Sequence, residues 1–457
     1  MSWKRQPSIG VPTSNRREGF VLIQISPAPA SGEAARKVAD VAALGVLVRI
    51  GAGKRLLIRT IETILRPIVR LVERLRPPTA ATPGEVQRIL VVEYWNLGDI
   101  IMELPFLQNL RIQYPNAHIA LLTSPKCVPL LTDQGLVDEM IVVRVPWAQH
   151  YSRWRKYNPF SPFWIEFLRT LATLHAKKFD LAFAARADIR ENFILWLVNV
   201  GRRVGYAFGG GGFMLTDTVT PDLERTHFSN RWLRLLEHLG KPILIRQPHL
   251  RLKQEEQDWA EQYLAERGVK AQELVIAIHP GARSAIRQWG EENFITVAER
   301  LLAKFPIKIL WFQDPGQVAS APKPKESVPL SLPLRQFMAV LGRCSMFLCN
   351  DSGPMHIATA LDVPVVGIFG PTEPTWFGPL GEGHHIVIRP EFWCRPCFDY
   401  CIFDQPYCLR LVTVDSVYEA AAEALRVIYG AAGFSKGQKV GVAGSITAIP
   451  KVEHAAD

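Results

Sequence analysis

A chain of 457 residues has room for two or three domains. With 48% hydrophobic and 21% charged residues it can bury a sizeable core, which excludes wholesale disorder. The net charge of +10 is concentrated in residues 1–76, which hold 14 Lys and Arg against 5 Asp and Glu, and the nearly neutral remainder is not the footprint of a nucleic-acid binder.

No apolar run approaches the roughly 20 residues of a membrane span. The first thirty residues carry no apolar core with a small-residue cleavage site, so no secretory leader is expected. Seven cysteines, four of them clustered late, do not form a spread disulfide framework, and a reducing, cytosolic compartment is expected.

In chain order, residues 1–33 are weakly patterned and expected to be disordered. Residues 34–84 read as a basic amphipathic helical arm followed by a Pro/Gly/Thr linker. Within the arm Arg55, Arg59, Glu62, Arg66, Arg70 and Glu73 recur with helical spacing, and Ile61, Leu65, Ile68, Val72 and Leu75 recur on the opposite side. Pro67 is expected to kink or break this helix. Such a helix either lies in the headgroup layer of an anionic membrane or packs on the body with its charged face solvated.

Residues 85–250 form a first α/β domain. Short β-branched runs at 88–93, 118–122, 140–143 and 181–184 read as buried parallel strands, with helical patterns between them, for instance at 163–177. Residues 251–273 read as a connecting helix. A second domain of the same kind, 274–430, has strands at 274–279, 307–312, 346–349 and 364–369 and helices at 291–304, 335–341 and 355–361. It closes with a helix near 415–429. The Gly/Ser/Ala-rich tail 431–457 is expected to be disordered. Two such domains facing each other leave a cleft, and ligands of doubly wound sheets bind outside the carboxyl ends of the strands.

Four strand-end loops therefore draw attention. Asp99, after Asn96, Leu97 and Gly98, either projects its carboxylate into the cleft or caps the following helix. The loop from His279 to Trp289 brings Gly281, Ser284, Arg283 and Arg287, suited to an anion. The segment from Asn350 to His356 brings Ser352 and Gly353 to a helix start with free backbone amides. There Asp351 holds the loop or meets a sugar hydroxyl, and His356 either donates to a diphosphate or is a satisfied helix-start histidine. Thr372 follows Gly370 in the fourth loop.

Taken together, Leu97-Gly-Asp99, His279-Pro-Gly-Ala282 with Arg287 and Trp289, Asp351-Ser-Gly-Pro-Met-His356 and Gly370-Pro-Thr372 resemble the bacterial heptosyltransferases, glycosyltransferase family nine, from about residue 88 to 430. The resemblance implies a GT-B fold of two facing Rossmann-like domains, here with the basic helical N-terminal extension. It implies an inverting, metal-independent transfer of heptose or a related sugar from an ADP-activated donor to a lipopolysaccharide core or similar lipid-linked saccharide. Asp99 would be the general base. Ser284, Arg287, Asp351, Ser352, Gly353, His356 and Thr372 would bind the donor. A single displacement needs one base and a stabilised leaving diphosphate, which these residue types supply. No Asp-x-Asp motif occurs, and no cofactor is required. Three places depart from the family pattern: Gly290 stands where Pro usually follows the Trp, Phe312 to Gln317 replaces a Gly-rich loop ending in Glu, with Gln317 the substitute for ribose contact, and the Pro/Lys-containing loop from Ser320 to Pro333 is atypical.

Arg186, Arg190 and Arg203 follow the fourth strand and are candidate acceptor contacts. The aromatic-basic run from Trp147 to Tyr157 suits a glycolipid surface or packs on its domain, and Gly209 to Gly212 reads as a mobile loop. Cys394, Cys397, Cys401 and Cys408 are a candidate structural zinc site, the alternatives being an iron–sulfur cluster and reduced or disulfide-linked structural thiols. The expected location is the cytoplasmic face of the plasma membrane, peripherally bound through residues 34–76. Two rival readings remain, a nucleotide-sugar epimerase of the same fold and a non-catalytic envelope-assembly binding protein.

Overall fold

The computed structural model describes residues 14–17, 20–24, 52–75, 86–148, 158–221, 226–314, 324 and 326–431. The expected C-terminal tail beyond Ala431, most of the expected linker and Gln317 lie outside these residues, as does Trp154.

In chain order the elements are β1 (Ser14–Arg17), β2 (Phe20–Gln24), α1 (Ala52–Leu75), β3 (Arg88–Val92), α2 (Leu97–Gln113), β4 (His118–Thr123), α3 (Val128–Leu131) and β5 (Glu139–Val142). They continue with α4 (Pro162–Ala176), β6 (Leu181–Ala184), α5 (Ile189–Leu197), β7 (Arg202–Gly205), β8 (Asp217–Thr218), α6 (Phe228–His238) and α7 (Gln254–Ala265). The second half holds β9 (Leu274–His279), α8 (Glu291–Lys304), β10 (Ile307–Phe312), β11 (Ser327–Leu330), α9 (Leu334–Leu341), β12 (Met346–Asn350) and α10 (Gly353–Ala360). It ends with β13 (Val365–Phe369), α11 (Pro374–Phe377), β14 (His384–Ile388), α12 (Tyr407–Arg410) and α13 (Val414–Ala431).

The first sheet has the order β5-β4-β3-β6-β7-β8, all parallel. The second runs β11-β10-β9-β12-β13-β14 in the same sense and is extended at β14 by β2 in parallel and β1 in antiparallel pairing. Each half thus reverses its strand order beside its first strand, β3/β6 in one and β9/β12 in the other, which is the crevice where doubly wound sheets bind ligands. This is the expected α/β architecture of two Rossmann-like domains. The expectation of disorder over residues 1–33 needs correction: Ser14–Arg17 and Phe20–Gln24 form a hairpin on the second sheet. Phe20, Val21, Leu22 and Ile23 are a strand-forming run.

Why these segments are strands is plain from burial. Ile89, Leu90, Val91 and Val92 are all inaccessible, as are Ile276, Ala277 and Ile278, because helices cover both faces of each sheet. One core runs continuously from the inner face of the first sheet through α2 and α6 to α9, α10 and the second sheet. Separate cores lie under α4 and α5 on one side and under α8 and α13 on the other. The halves are also stitched by polar contacts: the His227 ring Nε2 donates to Gly378 O (3.1 Å) and the Leu250 amide to Ala360 O (2.8 Å).

One buried group fits this core poorly. Glu103, one turn beyond Asp99 on α2, is inaccessible, and neither carboxylate oxygen has a hydrogen-bond partner. Burial, then the neighbouring Glu93, Glu191 and Asp99 charges, push its pKa well above the ordinary value. The folded state therefore holds this proton while the unfolded state releases it near pH 4.3, so wild-type stability falls as pH rises from there towards the raised folded value. Glu103→Met removes the penalty without breaking a bond. Urea denaturation at pH 7 should show a gain of about 1–3 kcal/mol, shrinking as pH falls towards 4. A loss at pH 7 would count against this account.

α1 is unbroken across Pro67, so the expected break there does not occur. Pro67 is exposed, so the Thr63 carbonyl it leaves without a donor faces solvent. The helix docks on the 203–213 segment, and the Gly209–Gly212 turn is packed rather than loose. A Cβ on Gly209 would meet Ala187 O at 1.5 Å, and Gly210 (φ 99°) approaches Ile58 of α1.

Candidate donor and acceptor cleft

The loop after β3 ends at Asn96, the N-cap of α2, and Asp99 occupies the third helical position. Asp99 Oδ2 accepts the Asn96 backbone N–H (3.0 Å) and side-chain amide (3.1 Å), so the capping alternative is real. Its other oxygen, Oδ1, accepts Arg186 Nη1 at 2.9 Å. Asp99 is 9% exposed. Burial alone would raise its pKa, but the Arg186 charge and the bonds from Arg186 and Asn96 outweigh it and hold the carboxyl below the ordinary value.

Arg186 sits over the Trp95 ring at 4.5 Å, amid Asp99, Glu93 and Glu191. Burial weakens its charge, yet these carboxylates raise its pKa overall. Trp95 in turn donates its indole N–H to Glu191 Oε1 (2.8 Å) and its amide to Glu93 Oε1 (3.0 Å). Burial pushes Glu191 up to about 8. Removing the guanidinium leaves burial of Asp99 unopposed. Arg186→Gln should therefore move the acid limb of the kcat/KM–pH profile upward by about one unit or more, because a base is competent only above its pKa. An unmoved limb would show that Arg186 does not set this group.

Of the other two candidate acceptor arginines, Arg190 pairs with Asp188 and lies over the Trp95 and Trp147 rings. Arg203 requires correction. It is 3% exposed and donates to Met214 O (2.7 Å), Val200 O (2.9 Å) and Glu73 of α1 (2.6 Å). It is a strut beneath α1, unavailable to a ligand. Trp147 packs against Trp164 and Phe167 and donates to the Tyr94 hydroxyl (3.1 Å).

Across the cleft, Arg287 closes a short turn after β9. Its Nε and Nη2 donate to Asp399 (2.6 and 3.0 Å), and its Nη1 to Asp351 Oδ2 (3.1 Å). Asp351 is 3% exposed and also takes the Thr372 hydroxyl. Thr372 and Asp351 thus hold each other and Arg287. Asn350 ties the arrangement to the sheet, donating to Pro280 O (2.6 Å) and accepting the Trp289 amide (3.2 Å). Trp289 is fully buried, its indole bonded to Val412 O at 2.8 Å. Gly290 has φ 112°, a conformation closed to the proline usual in the family.

Ser352 is the N-cap of α10, and its buried hydroxyl has no partner. Together with the Gly353 amide it presents donors at a helix start. Ser284 lies at the start of the Arg287 turn. His356 is buried, and burial first of all lowers its pKa, which favours the neutral ring.

The two halves meet at the expected residues. A Cβ on Gly98 would lie 3.0 Å from the His356 ring, and one on Gly353 would lie 3.5 Å from Leu97. Asp99 is near enough to act electrostatically on both His356 and Arg287. Asp99, Arg287, Ser352 and His356 therefore share one crevice.

Several cleft residues were missed by the sequence reading. Lys126 donates to Asn96 Oδ1 (2.8 Å) and feels both Asp99 and Arg283. Asp314, at the end of β10, lies 3.3 Å from His279 Nε2 and abuts Gly281. Asp399 comes from the cysteine-rich loop, which Arg395 fastens to the cleft through Gly370 O and Thr372 O (both 2.5 Å). The candidate zinc site in that loop is not assembled: among the described residues no three His, Cys, Asp or Glu side chains are placed to hold a metal ion. None of the seven cysteines forms a disulfide.

Comparison with known proteins bears on the family and the fold. The model of glycosyltransferase family 9 (heptosyltransferase) matches residues 167–407. Lipooligosaccharide heptosyltransferase 2 of Haemophilus influenzae is 22% identical over 321 residues, covering 65% of this chain and 88% of that protein. Lipopolysaccharide heptosyltransferase 2 of Escherichia coli is 20% identical over 322 residues, covering 66% and 87%. Among solved structures, a family 9 glycosyl transferase from Veillonella parvula superposes with a TM-score of 0.59 at 22% identity, over 75% of this chain and 98% of that one. E. coli heptosyltransferase WaaC with ADP gives 0.56 at 18% identity, over 74% and 100%. These likenesses give the fold, that of the GT-B heptosyltransferases. With more than half of its length matched by the family model, the chain belongs to glycosyltransferase family 9, the heptosyltransferases.

Proposed function

We propose that the chain transfers heptose from ADP-heptose to the saccharide core of a lipid-linked acceptor, with inversion, at the cytoplasmic face of the membrane. The observation that carries this reading is the shared crevice, with Asp99 from the first half opposite Arg287 and Ser352 from the second. In the proposed step an acceptor hydroxyl attacks the anomeric carbon and the bond from that carbon to the diphosphate oxygen breaks. The hydroxyl proton goes to Asp99, and the electron pair leaves with ADP.

Arg287, the Ser352 hydroxyl and the amides at the start of α10 would meet the charge developing on the leaving diphosphate. Asp399 occupies two nitrogens of Arg287 in the free protein, so the donor phosphate must compete with it. Asp314, half-exposed beside Gly281, would accept ribose hydroxyls. Support for heptose and for ADP comes from the names of the relatives, which are heptosyltransferases, and from the E. coli enzyme solved with ADP.

A thermal-shift screen tests the donor. ADP at a hundredfold excess over its Kd should stabilise the protein by about 2.7 kcal/mol, several degrees in Tm. GDP and UDP should do much less. Stabilisation by UDP or GDP but not by ADP would overturn the donor assignment.

A further inference from the structure

The two faces of α1 differ in a way the sequence period alone does not give. The side turned to the body holds Ile58, Glu62, Val69 and Glu73. Val69 is buried, Glu62 accepts the Gly211 amide (2.7 Å) and Glu73 takes the buried Arg203 (2.6 Å). Both carboxylates of the helix are thus spent inward.

The outer side is left with Leu56, Ile64, Ile68, Leu71 and Leu75, between 49 and 77% exposed, and with the exposed Arg59, Arg66, Arg70 and Arg74. Thr60 and Thr63 turn their hydroxyls back onto Leu56 O (3.0 Å) and Arg59 O (2.9 Å), which hides polar groups on the same side. The helix has no acidic residue besides Glu62 and Glu73, and both are bonded to the body. Five large apolar side chains on 24 helical residues, about 36 Å of helix, are far more than scattered surface hydrophobics.

From this face we infer that α1 lies flat on an anionic lipid bilayer, its leucines and isoleucines in the acyl boundary and its arginines against headgroup phosphates. The charge decides the occupant: an apolar face flanked only by cations complements an anionic surface, and each arginine near such a surface contributes about 1 kcal/mol. Among the described residues no helix is long and apolar enough to cross a membrane, so the contact is interfacial. The ion pair between Glu73 and Arg203 and the bond from Gly211 to Glu62 make α1 part of the first domain rather than a tether. Membrane contact would therefore orient the domain carrying Asp99. This inference deepens the proposed membrane-side reaction and rests on that reading only for its purpose, since its test involves no sugar.

The test is co-sedimentation of the full chain with vesicles of phosphatidylethanolamine and phosphatidylglycerol (3:1), against phosphatidylcholine vesicles. Wild type should bind the anionic vesicles and release with salt. Arg59→Gln/Arg70→Gln/Arg74→Gln should weaken binding about a hundredfold, three charges at about 1 kcal/mol each. Ile64→Ser/Leu71→Ser should weaken it at least tenfold, and both variants should melt at the wild-type temperature. Equal binding by wild type and variants, or no preference of wild type for the anionic vesicles, would overturn the inference. So would a wild-type dimer in sedimentation velocity that Ile64→Ser/Leu71→Ser dissociates, because the face would then be a self-interface. ADP release by vesicle-free variants should stay at the wild-type rate, which separates failure of this inference from failure of the proposed transfer.

Discussion

Asp99→Asn should lower kcat by 10²- to 10⁴-fold while leaving the Kd for ADP unchanged, the range that a positioned general base contributes. Asparagine is the informative replacement. Its side-chain oxygen can still accept the Asn96 amide, so the start of α2 keeps its cap, whereas alanine would add a cap loss of about 1 kcal/mol. The amide cannot take the acceptor proton. It also leaves Arg186 without its charged partner at 2.9 Å, so the variant should show a rate loss together with a modest change in the stability of the first domain. Steady-state ADP release and calorimetric titration of ADP check the two halves of this expectation. Undiminished turnover would remove Asp99 from the chemistry and leave it as the helix cap that its bonds to Asn96 already make it.

The second large effect is expected at Arg287. Arg287→Ala should cost 10²- to 10³-fold in kcat, about 2.7–4 kcal/mol, as for other donors to a developing anion, and should raise the donor KM. A stability loss should accompany it, because Asp351 is buried and would keep only the Thr372 hydroxyl as its partner. Arg287→Lys separates the two roles. A lysine returns the charge but cannot reach Asp399 through two nitrogens and Asp351 through a third. It should recover most of the donor affinity and little of the stability. If the donor KM of Arg287→Ala equals that of wild type, the cation serves only to hold Asp351 and Asp399 together.

Parts of this molecule were legible in the sequence for a definite reason. Strands such as Leu274–His279 and Leu181–Ala184 are covered on both faces, so they appear as short uninterrupted apolar runs. Their loops fall at the crevice because strand order reverses there, which is why Asp99, Arg287 and Ser352 emerged together. β7 was not legible: half of Arg-Arg-Val-Gly is charged. Arg202 is matched by Asp217 and Arg203 by Glu73, partners that spacing does not reveal. The same partners explain why the period of α1 showed a helix but not its orientation. Glu62 and Glu73 were read on the charged, outer side, yet they face inward because Gly211 and Arg203 await them more than 100 residues along the chain. Asp399 was invisible for a similar reason. It is 112 residues from Arg287, in a loop whose cysteines drew the attention.

The buried acids around Arg186 illustrate what no local pattern offers. Glu93, Asp99 and Glu191 come from a strand end, a helix start and another helix start, and only folding surrounds one guanidinium with all three. The consequence is chemical: the same arginine that orients Asp99 also lowers its basicity.

The most direct test of the whole account is ADP release from ADP-heptose with and without a core-saccharide acceptor. The account predicts release that depends on the acceptor and yields a glycosylated product of inverted anomeric configuration. Release of nucleotide or isomerisation of the donor sugar at full rate without any acceptor would contradict it.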